Sequence, residues 1–281
     1  MRRIGVHTSI SGGLRKGIER ALHLGCNTMQ MFSHNPRGWH TKEKNLHESR
    51  EFRKLKKMYD IFPVFIHTSY LINLASARKD LIEKSIDMVV YEMNTADEID
   101  AEYVVLHTGS ASGESPVIAR ERIVNCLAEI SKRGKWRAGL LLENAAGERG
   151  DITSRISELS EIMWKIPGEL IAGICIDTCH AFSAGYDLKT QEGINLLSAE
   201  TGKYIGKNMV RLLHVNDSRG ELGSGIDRHE HIGKGKIGIK GIKSFISHPV
   251  FADIPIILET PKKEEDDDLK NLNIVRKLAL Q

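Results

Sequence analysis

Eight short apolar runs recur along the chain, and they restrict the possible folds more than any other sequence feature. Each is apolar on mostly consecutive positions and is flanked by Gly, Pro or charged residues, as expected for strands buried on both faces of a parallel sheet. Segments with helical periodicity separate them, for example residues 77–94. A strand followed by a helix, eight times over, predicts a (β/α)8 barrel of the TIM type. The runs are residues 3–7, 28–32, 63–67, 103–107, 139–143, 173–177, 211–215 and 255–259.

The spacing of the runs predicts one domain over residues 1–281, because barrels of this kind reach this length as a single unit. The ends of the last six runs lie about 34 to 45 residues apart, and no Pro-rich or Gly/Ser-rich linker divides the chain. A charge run at residues 262–268, KKEEDDD, follows the last strand. Acidic residues there favour the start of a final helix.

Composition and the pattern of apolar residues indicate a globular protein that is neither secreted nor embedded in a membrane. With 41% hydrophobic and 27% charged residues, the sequence is typical of a globular protein. We find no secretory signal and no stretch that approaches a membrane span, so we expect a cytoplasmic protein without a membrane partner. We also expect a monomer. Four cysteines then favour a reducing compartment, with Cys175 and Cys179 as buried thiols. A net charge of +3 is weak evidence for a polyanionic partner, so any nucleic-acid site must be indicated by local residues.

Side chains that bind metals stand at or next to the ends of six of the apolar runs. Active sites of parallel barrels form where the strands end, so these side chains would converge on one mouth. A single histidine at a strand end is more often a hydrogen-bonded structural residue, but six such positions together favour a metal site. The six residues are His67, His107, Glu143, Asp177, His214 and Glu259.

The stretch HVNDSRGELGSGIDRHEHIG, residues 214–233, adds further candidate ligands. Asp227 and His229 are two residues apart in a predicted extended loop and would point to one side. With His180, which follows Asp177 in DTCH, they bring the candidates to nine. One zinc ion takes about four ligands, so nine indicate two or three ions. Mixed nitrogen and oxygen donors favour Zn²⁺, with Mn²⁺ or Fe²⁺ as alternatives, and three divalent cations among four carboxylates would attract a phosphate.

Three long motifs resemble the endonuclease IV family, the metal-dependent apurinic/apyrimidinic (AP) endonucleases of base-excision repair. They are HTSYLINL at residues 67–74, GICIDTCH at 173–180 and LHVNDSRGELGSGIDRHEHIG at 213–233. The resemblance covers nearly the whole chain, from GVHTSISGG to ILETP, and it implies the same barrel fold.

The resemblance implies three zinc ions, with Mn²⁺ as a possible substitute. His67 and His107 would hold the first ion, and Glu143 would bridge it to the second. The second ion would also be held by Asp177, His214 and Glu259, and the third by His180, Asp227 and His229. His231 and Asp217 are not among the matched ligands, which favours a supporting role for both.

The activity implied by the resemblance is hydrolysis of the phosphodiester 5′ to an abasic site in double-stranded DNA. The products would be a 3′-hydroxyl and a 5′-deoxyribose phosphate, and the same site would also trim groups that block 3′ ends. Metal ions would activate the attacking water. Glu143 and Glu259 would be the catalytic carboxylates, Glu143 by positioning two ions and Glu259 by orienting the nucleophile.

Residues that would contact DNA are also implied by the resemblance. Tyr70 matches a residue that enters the base stack, and Arg37 matches an arginine that fills the gap left by the base. Phosphate contacts are predicted for Arg219, Arg228, Lys234 and Lys236, although each of these side chains could equally be a solvated surface charge.

Two positions depart from the pattern expected for the family. His34 stands where we expect lysine, and Glu148 stands where a neutral glutamine is common. A carboxylate that faces DNA would repel phosphate, so Glu148 disfavours the contact that this loop usually makes in the family.

Two other functions remain open from the sequence. Xylose-isomerase-like sugar isomerases and epimerases also place carboxylates and histidines around two ions in a barrel, but they would not need nine ligands. A non-catalytic DNA-damage-binding or metal-storage protein could keep the barrel without turnover. Intact residues at all nine ligand positions speak against the second alternative.

Overall fold

Ten strands and nine α-helices make up most of the secondary structure of the computed structural model, which describes residues 2–41, 45–111 and 113–280. The strands are β1 Ile4–Thr8, β2 Met29–Phe32, β3 Val64–His67, β4 Tyr103–Leu106, β5 Gly139–Glu143, β6 Ile171–Asp177, β7 Val210–His214, β8 Asp217–Ser218, β9 His229–Glu230 and β10 Ile256–Leu258. The helices are α1 Leu14–His23, α2 Leu46–Met58, α3 Lys79–Ile99, α4 Pro116–Arg133, α5 Ile156–Met163, α6 Thr178–Ser183, α7 Gln191–Glu200, α8 Gly238–Ile246 and α9 Asp267–Ala279.

Eight of the strands close into a parallel barrel in the order β1-β10-β7-β6-β5-β4-β3-β2. Each of the eight predicted runs supplies one of these strands, so the predicted (β/α)8 barrel is confirmed. The predicted helix within residues 77–94 is α3, and the charge run leads into α9, whose first turn contains Asp267 and Asp268.

The barrel encloses a small apolar layer that is separate from the main core. We call it the barrel floor. The main core lies between the strands and the surrounding helices. The floor contains one buried side chain from each of six strands, namely Phe65, Val105, Leu141, Cys175, Leu212 and Ile257. Because the floor lies below the strand ends, the next inward-facing side chains lie directly above it.

Some local features differ from the prediction. Strands β4 and β10 end at Leu106 and Leu258, so His107 and Glu259 directly follow their strands. The short antiparallel pair β8–β9 was not predicted, because two-residue strands leave no periodic pattern. Cys175 and Cys179 are free and buried, as predicted. Within the described part of the chain, no helix is long and apolar enough to span a bilayer.

Arg2 links the first strand to the segment between α8 and β10, where the barrel closes. Strand β1 pairs with β10 through Ile4–Ile256, Gly5–Ile257 and Val6–Leu258. Below this pairing the guanidinium of Arg2 donates hydrogen bonds to three carbonyl oxygens, those of Ile246, Phe251 and Ile254, at 2.5–2.9 Å. Burial lowers the pKa of Arg2 to about 10, which leaves the guanidinium charged at neutral pH.

Replacing Arg2 with leucine should lower the free energy of unfolding by roughly 2–4 kcal/mol, because three carbonyls lose a charged donor. Urea denaturation followed by circular dichroism measures this change. Arg15→Leu is the matched control, since Arg15 makes exposed ion pairs with Glu19 and Glu51. Equal stability of the two variants would contradict a role for Arg2 in closing the barrel.

Candidate metal centre

The alternation of side chains along the strands explains why six candidate ligands meet at one mouth. Side chains two residues apart on a strand point to the same face. Each candidate ligand at a strand end lies two positions beyond a residue of the barrel floor. The pairs are 65 and 67, 105 and 107, 141 and 143, 175 and 177, 212 and 214, and 257 and 259. The six ligands therefore form the next layer inside the barrel, directly above the floor.

Glu143 lies at the centre of this layer, is fully buried and contacts two groups of side chains. Its Oε2 atom lies 3.4 Å from Nε2 of His67 and 3.2 Å from Nε2 of His107. Its Oε1 atom lies 2.9 Å from Nδ1 of His214. The same His214 nitrogen is 3.3 Å from Oε2 of Glu259 and 3.9 Å from Oδ2 of Asp177. One carboxylate thus joins a group of three potential ligands to a group of four.

A third group forms beside the strand ends. Asp177 caps α6 by accepting a hydrogen bond from the backbone N–H of His180, which turns this histidine towards the mouth. Nε2 of His180 lies 3.2 Å from Oδ1 of Asp227, and Nε2 of His229 lies 3.4 Å from the same oxygen. His229 belongs to β9, and its pairing with Ser218 of β8 fixes its loop. The pairing places Asp227 and His229 together, so the structure brings all nine predicted ligands into three adjoining groups.

Hydrogen bonds to the outer ring nitrogens determine which histidine atoms face the carboxylates. A carbonyl oxygen only accepts, so a ring nitrogen beside one carries the proton and leaves the other nitrogen free to bind a metal. Three histidines have Nδ1 beside a backbone carbonyl and the fourth has Nε2 beside the Gln30 amide oxygen. The pairs are His67–Thr68, His180–Asn144, His229–Glu259 and His214–Gln30, at 2.8–3.0 Å.

The charges of the three groups fit divalent cations. Burial would raise the pKa of Glu143, but His107 and His214 hold it well below its usual value. Burial would likewise lower the pKa of His180, but the carboxylates of Asp177 and Asp227 raise it well above 6.5. Within the described residues, the buried atoms Glu143 Oε2, His180 Nε2 and His229 Nε2 accept or donate no hydrogen bond. Four carboxylates with free nitrogen and oxygen donors suit zinc or a similar ion.

Two residues of the centre were missed by the sequence prediction. Gln30 is fully buried on β2, and its Nε2 donates to Oε1 of Glu259 at 2.6 Å while its Oε1 accepts from His214. Nδ1 of His7, on β1, lies 3.2 Å from the same Glu259 oxygen. A polar residue in the middle of an apolar run, as in TMQMF, was the available signal, since such a residue needs a buried partner.

Asp217 organises the loop that follows β9. It is fully buried, and its carboxylate accepts hydrogen bonds from the backbone N–H groups of Gly233, Gly235 and Ile237 at 2.9–3.0 Å. A Cβ atom at Gly235 would lie 2.5 Å from this carboxylate, so the close approach requires glycine. His231 lies outside the three ligand groups, with Nδ1 3.0 Å from the Asn271 amide nitrogen.

The predicted DNA contacts lie around the mouth in different environments. Tyr70 is 65% exposed and its ring meets the edge of Phe32, with centroids 5.2 Å apart. Arg37 and Lys234 are exposed, and exposed Arg228 lines the mouth. Two predicted contacts are engaged within the protein, because Arg219 pairs with Glu230 at 2.9 Å and Lys236 pairs with Glu221 at 2.5 Å.

The mouth is a cavity of about 370 Å³, within the usual size range of small-molecule sites. Lys262 also lines it, with Nζ 2.5 Å from the carbonyl oxygen of His7 and 2.7 Å from Oδ2 of Asp268. The sequence prediction treated the surrounding charge run only as a helix start. The structure therefore adds Lys262 to the cations that face the candidate ligands.

The two departures from the family pattern have different surroundings. His34 is buried and packs edge-on against Tyr91, with ring centroids 5.7 Å apart, so it does not offer a charge to the mouth. Glu148 is exposed, and its Oε1 atom accepts a hydrogen bond from the backbone N–H of Asp227 at 3.4 Å. Glu148 therefore contacts the loop that carries one of the candidate ligands.

Comparison with known proteins identifies relatives along nearly the whole chain. Residues 18–278 match the family model described as the xylose isomerase-like TIM barrel. The probable endonuclease 4 of Halothermothrix orenii is 41% identical over 98% of this chain and 99% of its own. The endonuclease 4 homologue of Methanoculleus marisnigri, also named probable, is 39% identical over 98% of each chain.

Solved structures distinguish a relative of the same family from a protein that shares only the fold. Endonuclease IV from Thermus thermophilus superposes with a TM-score of 0.86 and 34% identity, covering 98% of each chain. A D-tagatose 3-epimerase-like protein reaches a TM-score of 0.74 at 19% identity, over 98% of this chain and 96% of its own. The second likeness concerns the barrel alone. Sequence identity over full length therefore places this chain in the endonuclease IV family of enzymes.

Proposed function

We propose that the protein is a metal-dependent AP endonuclease that hydrolyses the phosphodiester 5′ to an abasic site in double-stranded DNA. The products are a 3′-hydroxyl and a 5′-deoxyribose phosphate, and the same site removes groups that block 3′ ends. The observation that carries the proposal is that Glu143 joins two potential ligand groups at the barrel mouth, with a third group beside them. The names of the relatives support an endonuclease rather than a sugar-converting enzyme.

Three zinc ions fit the donor atoms, and Mn²⁺ is the proposed substitute. His67, His107 and Glu143 would hold the first ion, and Glu143, Asp177, His214 and Glu259 the second. His180, Asp227 and His229 would hold the third. When bound, these ions would supply a nucleophile from water at neutral pH and Lewis-acid stabilisation of the phosphodiester.

The two catalytic carboxylates have different roles because they differ in exposure. Glu143 is fully buried and presents one oxygen to each of two ligand groups, so it fixes the distance between them. The Glu259 side chain is 17% exposed and lines the mouth, which allows it to contact the attacking water. Glu259 would orient this water and accept its proton. Gln30 holds the other Glu259 oxygen in place.

Exposed side chains around the mouth would bind the DNA. Tyr70 would enter the base stack and Arg37 would fill the gap at the missing base. Arg228 and Lys234 would contact phosphates together with Lys262. Arg219 and Lys236 would have to leave their acidic partners, Glu230 and Glu221, before they contact DNA, so we propose a smaller role for them.

Duplex DNA with a single abasic-site analogue tests the proposed activity. The purified protein should cut once, on the 5′ side of the analogue, and a chelator should abolish cutting until Zn²⁺ or Mn²⁺ is added. Product ends are read on a denaturing gel, with the same duplex carrying an intact base as the control. Binding of the abasic duplex without cutting, in the presence of metal, would indicate a damage-binding protein. Epimerisation of sugars, with the DNA left uncut, would indicate a sugar isomerase or epimerase.

The variant Glu259→Gln tests the role of that carboxylate. It should bind abasic DNA with near wild-type affinity, but its single-turnover rate should fall by about 10²–10⁴-fold because a general base is lost. Metal content is measured in parallel, to separate proton transfer from metal loss. The control is Glu265→Gln, since Glu265 is exposed and follows the last strand. A wild-type rate in Glu259→Gln would remove this residue from the mechanism.

Gln30→Leu tests whether the buried amide sets the geometry of His214 and Glu259. Zinc affinity of the second group should fall by about 10–100-fold, the usual effect of losing a partner that orients metal ligands. Competition with a chromophoric chelator gives the affinity and the number of ions retained. Gln191→Leu, an exposed change on α7, is the matched control. Unchanged zinc affinity in Gln30→Leu would show that the two ligands hold their positions unaided.

A further inference from the structure

Glu92 is a buried carboxyl for which the proposed chemistry has no use. It lies on α3, is fully buried, and belongs to none of the three ligand groups. Its neighbours on the buried face of the helix are apolar, for example Met88, Val89 and Ala96. A carboxyl among such residues lowers stability unless its polar atoms are engaged. The residues that contact Glu92 therefore indicate its role.

The first partners belong to the loop of residues 33–38, which we call the Arg37 loop. The hydroxyl of Ser33 donates a hydrogen bond to Oε2 of Glu92. Nδ1 of His34 lies 2.9 Å from the Ser33 hydroxyl oxygen and 3.5 Å from Oε1 of Glu92. Further along the loop, the backbone N–H of Arg37 donates to the Asn35 side chain at 3.2 Å. Glu92 thus fixes the start of the loop that presents Arg37.

The second loop is formed by residues 68–72, which we call the Tyr70 loop. Burial raises the pKa of the Glu92 carboxyl, and the backbone N–H of Ser69 partly opposes this rise. The hydroxyl of Ser69 donates to the carbonyl oxygen of Pro36 at 2.8 Å, so the two loops are also joined directly. Ser69 precedes Tyr70, and Pro36 precedes Arg37. Glu92 and Ser69 therefore connect the two side chains proposed to probe the abasic site.

The Glu92 carboxyl is suited to this role without carrying a charge. Burial raises its pKa to about 8, and the Ser33 hydroxyl only partly opposes the shift. The group therefore holds its proton at pH 7 and avoids the penalty for a buried charge. The neutral amide of glutamine has nearly the same shape and can accept the same hydrogen bond from Ser33.

We propose that Glu92 is a positioning residue that locks the Arg37 loop to the Tyr70 loop, so that affinity for abasic DNA depends on it while metal-dependent hydrolysis does not. The consequence for DNA binding rests on the proposed function. The lock itself does not, because it is a property of the free protein. Loop order and DNA affinity are therefore measured separately.

Glu92→Leu should raise KM for abasic duplex DNA by about tenfold, equivalent to 1.4 kcal/mol of lost binding. The value of kcat and the zinc content should stay close to wild type, because Glu92 belongs to none of the three ligand groups. Glu92→Gln should restore KM, since the amide keeps the contact with Ser33. A general loss of folding in Glu92→Leu would lower kcat and zinc content together, rather than raise KM alone.

Hydrogen–deuterium exchange of the full-length, zinc-loaded protein without DNA tests the lock directly. In Glu92→Leu, peptides that cover residues 33–38 and 68–72 should exchange faster than in wild type, and Glu92→Gln should resemble wild type. The control is Glu200→Leu, which removes a carboxyl on α7 that accepts a hydrogen bond from buried Tyr186 at 2.6 Å. It should alter neither loop.

The outcomes distinguish the two proposals. Wild-type protein that leaves abasic DNA uncut contradicts the proposed function, whereas unchanged exchange in both loops of Glu92→Leu overturns the lock. Faster exchange with an unchanged KM overturns the link between the lock and DNA affinity. If Glu92→Leu does not fold, Ser33→Ala and Ser69→Ala take its place, and each should raise exchange in both loops.

Discussion

Mutual repulsion among four carboxylates at one barrel mouth is the constraint on which the rest of the structure depends. Asp177 and Glu143 are fully buried, Glu259 is partly exposed at the mouth, and half-exposed Asp227 lies beside them. Such a cluster is stable only with compensating positive charge, from protonated histidines or from metal ions. The five histidines meet both needs, because each can hold a proton or release it to bind a cation. Hydrogen bonds to the Gln30 amide oxygen and to backbone carbonyl oxygens keep the binding atoms of four of these histidines directed inwards.

The parts of the molecule that follow a repeating rule could be predicted from the sequence. Consecutive apolar residues predicted the strands, and residues such as His67 and Glu143 at their ends predicted a common mouth. Glu92 could not be found in this way, because a glutamate in a helix usually faces solvent and its burial depends on two distant loops. The partners of Arg219 and His34 are likewise set by tertiary contacts. Spacing along the chain does not encode such contacts.

Recognition and chemistry are supported by different elements. Six candidate ligands lie at strand ends, His180 lies on α6 and His229 lies on β9, and main-chain hydrogen bonds limit the movement of these elements. The side chains proposed to probe DNA lie on loops, which Ser69 and Glu92 hold together through a few side-chain contacts. Local opening of loops held by so few bonds costs less free energy than opening of the barrel. Under the proposed function, DNA would therefore displace Tyr70 and Arg37 without disturbing the ligand layer.

The barrel floor has a consequence for how this chain can vary over evolution. Each strand-end ligand stands one pleat above a floor residue, as Glu143 stands above Leu141 and Glu259 above Ile257. Inserting or deleting one residue between floor and mouth would turn that ligand outwards into the helical layer. The distance between the two layers is therefore fixed for six strands at once, whereas the helices and outer loops are free to change length. Selection on a nuclease of this design acts on the spacing of its strands as well as on its ligands.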